Sequence, residues 1–137
     1  MAATQQALLP DHILGAVLAL AEKEHARQAG SERLAFRSHD FHLQDIFSDL
    51  RKQYPILKAF VFSESGPQPY SPILNESVSR LQLSGLIGRE NPDYEVVFVR
   101  PAANLFYDEV VKESLDSSEI KQLDQIAVAF LSRVTTV

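Results

Sequence analysis

Ser71-Pro-Ile-Leu-Asn-Glu-Ser-Val-Ser-Arg80-Leu-Gln-Leu-Ser84-Gly85-Leu86-Ile87 is the stretch that decides the fold. A serine before a proline starts a helix: the hydroxyl accepts from a first-turn N–H, and proline at the first helical position lacks a donor that would go unused there. Leu74, Val78 and Leu81 then recur on one face, and Ser84-Gly85 is a stop, because glycine takes the left-handed conformation in which helices end. Straight after it, Leu86-Ile87 leads to the turn formers Asn91-Pro-Asp93, and Tyr94 to Val99 is strongly β-prone with Glu95 as its only charge. The pattern predicts a capped helix running directly into a two-stranded hairpin.

Upstream, Ser38 reads as the cap of a helix whose apolar stripe is Phe41, Leu43, Ile46, Phe47 and Leu50, ending near Tyr54-Pro55 because proline disfavours helical geometry in the residue before it. Ile56 to Phe62 fits a strand or a helical turn equally well, and Gly66-Pro-Gln-Pro69 is a loop. Leu34-Ala-Phe36 alternates with Arg33 and Arg37 as a short edge strand. A first helix spans 10–30, with Asp11 as its cap, Ile13, Leu14, Val17, Leu18 and Ala21 at helical spacing, and Gly30 as its stop. Downstream, Pro101 closes the hairpin and Asn104 starts a helix carrying Leu105, Phe106, Val110 and Val111. Asp116 with Glu119 three residues later caps a last helix with Ile120, Leu123, Ile126, Ala127, Phe130 and Val134 on one stripe.

The stretches Phe60-Val-Phe-Ser-Glu-Ser-Gly66-Pro67, Tyr70-Ser71-Pro72-x-Leu74 and Val78-x-x-Leu81-x-x-x-Gly85-Leu86-Ile87 resemble the winged helix-turn-helix core of small bacterial and phage-associated proteins, among them relatives of the Panacea-type antitoxins. The resemblance covers about residues 38–99 and implies a winged-helix core there with a two-stranded β-wing; with the helices read on either side of it, an extra N-terminal one at 10–30 and C-terminal ones at 103–134, the expectation is an α+β, mostly helical fold in one domain over 1–137. The resemblance also implies one of two activities, DNA binding through the capped helix or protein contact on the same scaffold.

Charge bears on that choice. The 137 residues carry 13 Lys and Arg against 18 Asp and Glu, a formal net charge of −5. The capped helix has Arg80 against Glu76 and is neutral, and the hairpin has Arg89 against Glu90, Asp93 and Glu95. A DNA surface needs cations to displace counterions from phosphate and polar side chains to reach base edges. The candidates for that role are Arg51, Lys52, Asn75, Ser79, Arg80, Gln82 and Arg89, with Lys58 beside the first two.

The chain has no cysteine, which excludes disulfides, thiolate metal sites and cysteine nucleophiles. His39, His42 and Asp45 follow one another at three-residue spacing and could gather metal ligands on one helix face, but acids at a helix start are explained by the dipole alone, so no metal is expected. Without a nucleophile elbow, a phosphate-cradling glycine loop or a paired-carboxylate site, the expectation is a protein that is not an enzyme and needs no cofactor. The apolar run Ile13 to Ala21 is too short to span a bilayer, so no membrane is expected and the chain reads as cytoplasmic.

From Asp108 to Asp124, six carboxylates stand against two lysines, a net −4 over helices that also carry an apolar stripe. That combination suggests a partner surface. Leu18, Leu20, Leu123, Ile126 and Phe130 on the terminal helices are the candidate interface, fitting a homodimer or a protein partner. The leading reading is therefore a winged-helix protein-interaction module or adaptor, and the alternative is a DNA-binding transcriptional regulator or antitoxin-like repressor.

Overall fold

The computed structural model describes residues 9–30, 33–37, 42–63, 66, 69–90, 96–134 and 136, the side chains of His42 and Glu90 lying outside that set. Among the described residues, five α-helices and three strands run in the order α1 (Pro10–Ala29), β1 (Ala35–Arg37), α2 (His42–Arg51), α3 (Pro72–Leu83), β2 (Ile87–Glu90), β3 (Val96–Val99), α4 (Pro101–Phe106) and α5 (Ser117–Arg133). A 3₁₀ turn, Pro55–Ala59, links α2 towards α3, and α4 loosens into a π-helical turn, Tyr107–Val111, and a 3₁₀ turn, Lys112–Ser114. The architecture is α+β and mostly helical.

Local chemistry accounts for most element ends. At α3 the Ser71 hydroxyl accepts from the Leu74 N–H at 3.2 Å, Pro72 takes the first position, and Gly85 beyond the last turn has φ +81°. At α5 the Asp116 carboxylate accepts from the Glu119 N–H at 2.8 Å while Glu119 accepts from the Asp116 N–H at 2.9 Å, a closed capping box. Two expectations are corrected. The cap of α1 is Leu9, with Pro10 at the first position, and Asp11 turns its carboxylate to Arg80 instead. The fourth helix begins at Pro101, three residues before Asn104, because this proline starts a helix rather than merely closing a strand.

Residues 56–59 resolve as 3₁₀ turn, with Phe60 already extended. The Ser38 cap, Phe41, the 91–93 turn, Tyr94 and Glu95 lie outside the described residues.

The sheet is antiparallel in the order β1-β3-β2. Ala35 pairs with Phe98 and Arg37 with Val96 on one side of β3, and Gly88 pairs with Phe98 and Ile87 with Val99 on the other. Thr136 bridges to Phe36 on the outer side of β1. Leu34, Phe36, Ile87, Val97 and Val99 turn inward and are buried, so alternation puts Arg33, Ala35, Arg37 and Phe98 on the outer face.

The expected partner interface is corrected by the packing. Leu18, Leu123, Ile126 and Phe130 are buried, and Leu20 is half-buried against the same core. The reason lies in α1, whose middle turns from Ile13 to Ala19 are buried on every side because the helix packs against α3, α4 and α5 together. A helix apolar all round needs a complete surround, and here one chain provides it. Phe130 is the hub: its ring meets Phe36 edge-on at 5.4 Å and Phe47 at 5.8 Å, and Phe47 passes the contact to Phe60 at 5.8 Å.

Candidate functional site

The junction of α2 and α3 sets the pose of the capped helix. Gln44, buried on α2, accepts from the Ser71 N–H at 2.7 Å and donates its amide to the Ser71 carbonyl at 3.1 Å. With its N-terminus fixed, α3 buries Leu74, Ser77, Val78 and Leu81 and exposes Asn75, Glu76, Ser79, Arg80, Gln82 and Leu83. Asn75, Ser79, Arg80 and Gln82 therefore share the outward side of one helix.

Arg80, the only cation of α3, does not point away from the protein. Its Nε donates to Asp11 Oδ2 at 2.7 Å and its Nη2 to Asp11 Oδ1 at 3.0 Å, a two-point clamp on the first turn of α1, with Glu76 3.8 Å from Nη1. Burial pushes the Asp11 carboxyl up, but the hydrogen bonds and charge of Arg80 pull it further down, below the usual carboxylate value. The clamp keeps the guanidinium neutralised.

Beside this pair lies a cleft of about 330 Å³ between the start of α1, the end of α3 and α4, lined by Leu9, His12, Arg80, Leu81, Leu86 and Phe106. That size is at the lower end of ligand pockets. The His12 ring lies 5.7 Å from the Phe106 ring, and its Nδ1 accepts from the Leu9 N–H at 3.3 Å. Apolar side chains bracket the site: Leu83 is 87% exposed next to Ser84, and Leu105 is 60% exposed next to Phe106. No protein-family model, curated protein or solved structure matches this chain. What the arrangement offers is apolar anchorage with one neutralised ion pair at its rim.

The other predicted cations lie elsewhere. Arg51 is half-buried at the end of α2, with a buried Nε that has no hydrogen-bond partner among the described residues. Lys52 sits 3.9 Å from Asp49, Lys58 is exposed on the 3₁₀ turn, and Arg89 is half-buried opposite the inward-facing Val97. None of them extends the exposed face of α3. Of the possible metal group, His39 and the His42 side chain lie outside the described residues, and no metal-holding group of His, Asp and Glu occurs among those described. A shallower groove on the outer face of α5, lined by Tyr54, Asp124, Gln125, Val128, Ala129 and Ser132, holds about 430 Å³. No helix among the described residues is long and apolar enough to cross a membrane.

Two polar arrangements were missed in the sequence. Glu22 of α1, only 4% exposed, accepts from Asn104 Nδ2 at 2.8 Å and from the Leu34 N–H at 3.4 Å, tying α1 to α4 and to the approach to β1. On the outer face of the sheet, the guanidiniums of Arg33 and Arg100 stand 4.0 and 4.9 Å from the centre of the Phe98 ring. The period-two alternation of Arg33, Leu34, Ala35, Phe36 and Arg37 carried part of that second signal, since it turns Arg33 to the outer face, but nothing local pairs it with Phe98 and Arg100.

Proposed function

We propose that this chain is a winged-helix binding module without catalytic activity of its own, docking on another protein through the end of α3 and the cleft beside it. The element order supports the scaffold: helix, short strand, two helices and a hairpin, with the first strand added to the hairpin in the order β1-β3-β2. The observation that carries the function is the pairing of Arg80 with Asp11 while Leu83, one turn on, stands 87% exposed. A helix that reads DNA needs its cations outward to neutralise phosphate. A neutral helix ending in an exposed leucine, beside a cleft with Phe106 in its wall, has the apolar anchor and polar rim of a protein contact.

The alternative, a DNA-binding regulator or antitoxin-like repressor, has Asn75, Ser79, Arg80 and Gln82 on one exposed side to reach base edges, but its one cation there is held by Asp11. A photo-crosslinking residue at position 83, expressed in the native host, tests the choice. A discrete protein adduct at 83, lacking at position 128 on α5, is the expected result. No adduct at 83, together with duplex binding that disappears in Arg80→Glu, would overturn it in favour of the DNA reading.

A further inference from the structure

We infer that Glu22 and Asn104 form a proton-binding site inside the fold, in which the neutral Glu22 acid and the Asn104 amide close a two-bond pair that holds α4 on α1. The inference does not rest on the protein-docking reading, although α4 forms a wall of the same cleft.

The polar inventory of the site is one hydrogen short. Glu22 is 4% exposed, and an ionised carboxylate has about four lone-pair sites to satisfy. Two donors reach it: Asn104 Nδ2 at 2.8 Å and the Leu34 N–H at 3.4 Å, the second beyond the ordinary bonding range. No Lys or Arg side chain meets it among the described residues. Lys23, next along α1, is taken by Asp108 and the Tyr107 ring, and Arg33, beside Leu34, lies over the Phe98 ring. The side chains that α5 buries, Leu123, Ile126, Ala127 and Phe130, are all apolar. The charge that bears on the carboxyl is His25, on the next turn of α1. A buried carboxylate so thinly supplied favours its neutral form, and burial does hold this carboxyl above its ordinary value.

The neutral form needs an acceptor for its proton, and Asn104 Oδ1 is one: it is buried, with no hydrogen-bond partner among the described residues. Two other buried side-chain atoms share that condition, Arg51 Nε and Ser77 Oγ, but the first is a donor and the second a hydroxyl that can turn. Oδ1 is an acceptor only, and it sits on the amide already bonded to Glu22. A carboxylic acid and an amide are planar groups that each carry a donor and an acceptor side by side. With the proton in place, Nδ2 donates to one carboxyl oxygen and the carboxyl O–H donates to Oδ1. On ionisation the proton leaves to solvent, Oδ1 is stranded, and a buried charge stays behind with one good donor.

The consequence falls on α4, which has 6 residues and passes straight into the π-helical turn. Two residues beyond Asn104, the Phe106 ring packs so close to Gly15 of α1 that a Cβ there would stand 2.9 Å from it, and the same residue lines the cleft. Water reaches the ionised carboxylate when α4 lifts off α1, so ionisation favours lifting and the proton favours closure. The helix is therefore held below the folded-state midpoint of Glu22 and loosened as pH rises through it.

NMR of the full chain across the titration of Glu22 tests this. The Glu22 carboxyl carbon should titrate above the ordinary 4.5, and the Asn104 side-chain amide should shift with the same midpoint. Across that midpoint the solvent-exchange protection of the 105–107 amides, corrected for the intrinsic pH dependence of exchange, should fall about five- to tenfold, the effect of one lost hydrogen bond, while the amides of α5 keep theirs. Glu22→Gln cannot ionise and should hold the protection of α4 constant with pH. Five results would overturn the inference: a Glu22 midpoint at or below 4.5, an Asn104 amide that does not follow it, protection of α4 that stays level as Glu22 titrates, a fall shared equally by α5, or the same fall in Glu22→Gln. The fourth would be global opening, and the last would assign the pH response to His25.

Discussion

Gln44 and Ser71, 27 residues apart, exchange two hydrogen bonds at the point where α2 meets α3. Both residues are buried, so this amide satisfies two backbone groups of Ser71 that are turned away from solvent. The contact is made to the Ser71 backbone, which leaves the serine hydroxyl for its separate task of capping Leu74.

That division of labour predicts unequal costs. Gln44→Ala strands the buried Ser71 N–H, although the Ser71 carbonyl still accepts from Asn75, and it opens a small void; a loss of about 2–3 kcal/mol is expected. Ser71→Ala removes the cap bond alone and should cost about 1 kcal/mol. Urea unfolding of the two variants decides the matter, and equal costs would show that the amide clamp is not what sets the junction.

Gly88 is small because Phe98 lies across it. A Cβ there would stand 2.3 Å from the far end of the Phe98 ring, so alanine forces the ring away and with it the surface on which Arg33 and Arg100 stack. Gly88→Ala is expected to destabilise by about 1–3 kcal/mol. In the Phe98→Ala background the same change should cost much less, and a thermal-unfolding double-mutant cycle reads the difference. Additive costs would mean that the ring does not occupy that space.

Interactions that close within one turn were legible from the residues: Ser71-Pro72 with Gly85, and Asp116 with Glu119, sit within a few positions of the backbone groups they satisfy. Contacts across long separations were not. Arg80 reads as an outward contact residue until Asp11, 69 positions away, is placed beside it. The surplus apolar surface of α1 fits a second copy as well as it fits α3, α4 and α5, because periodicity reports that a face must be covered and not by what. The expected fold class was therefore readable as α+β and mostly helical, while the proposed interface residues Leu18, Leu123, Ile126 and Phe130 went into the core.

The capping box at α5 offers a local check. Asp116→Ala removes the acceptor for the Glu119 N–H and should cost about 1 kcal/mol in urea unfolding, with Asp116→Ser recovering most of it because a hydroxyl can accept the same bond. A serine variant as unstable as the alanine would assign the effect to something other than the cap.

Glu22 makes stability depend on pH in a direction opposite to that of the paired surface acids. Burial pushes its carboxyl above the ordinary 4.5, outweighing the pull of the Leu34 N–H, the Asn104 amide and the nearby His25. As pH rises past 4.5 the unfolded chain gives up this proton first, so the folded state loses stability until its own raised value is passed, and the loss is constant above that. Asp11 and Asp49, held low in the fold, act the other way and lose their contribution on acidification. The variant Glu22→Gln isolates the first effect. Its carbonyl can accept from Leu34 and its amide can donate to Asn104 Oδ1, a buried oxygen with no partner among the described residues, once that side chain turns over. The stability gap between Glu22→Gln and the parent chain, read from urea midpoints, should therefore widen in the variant's favour from pH 4.5 towards neutrality. A gap that stays flat, or narrows, would mean that the carboxylate is as well accommodated inside the fold as in water.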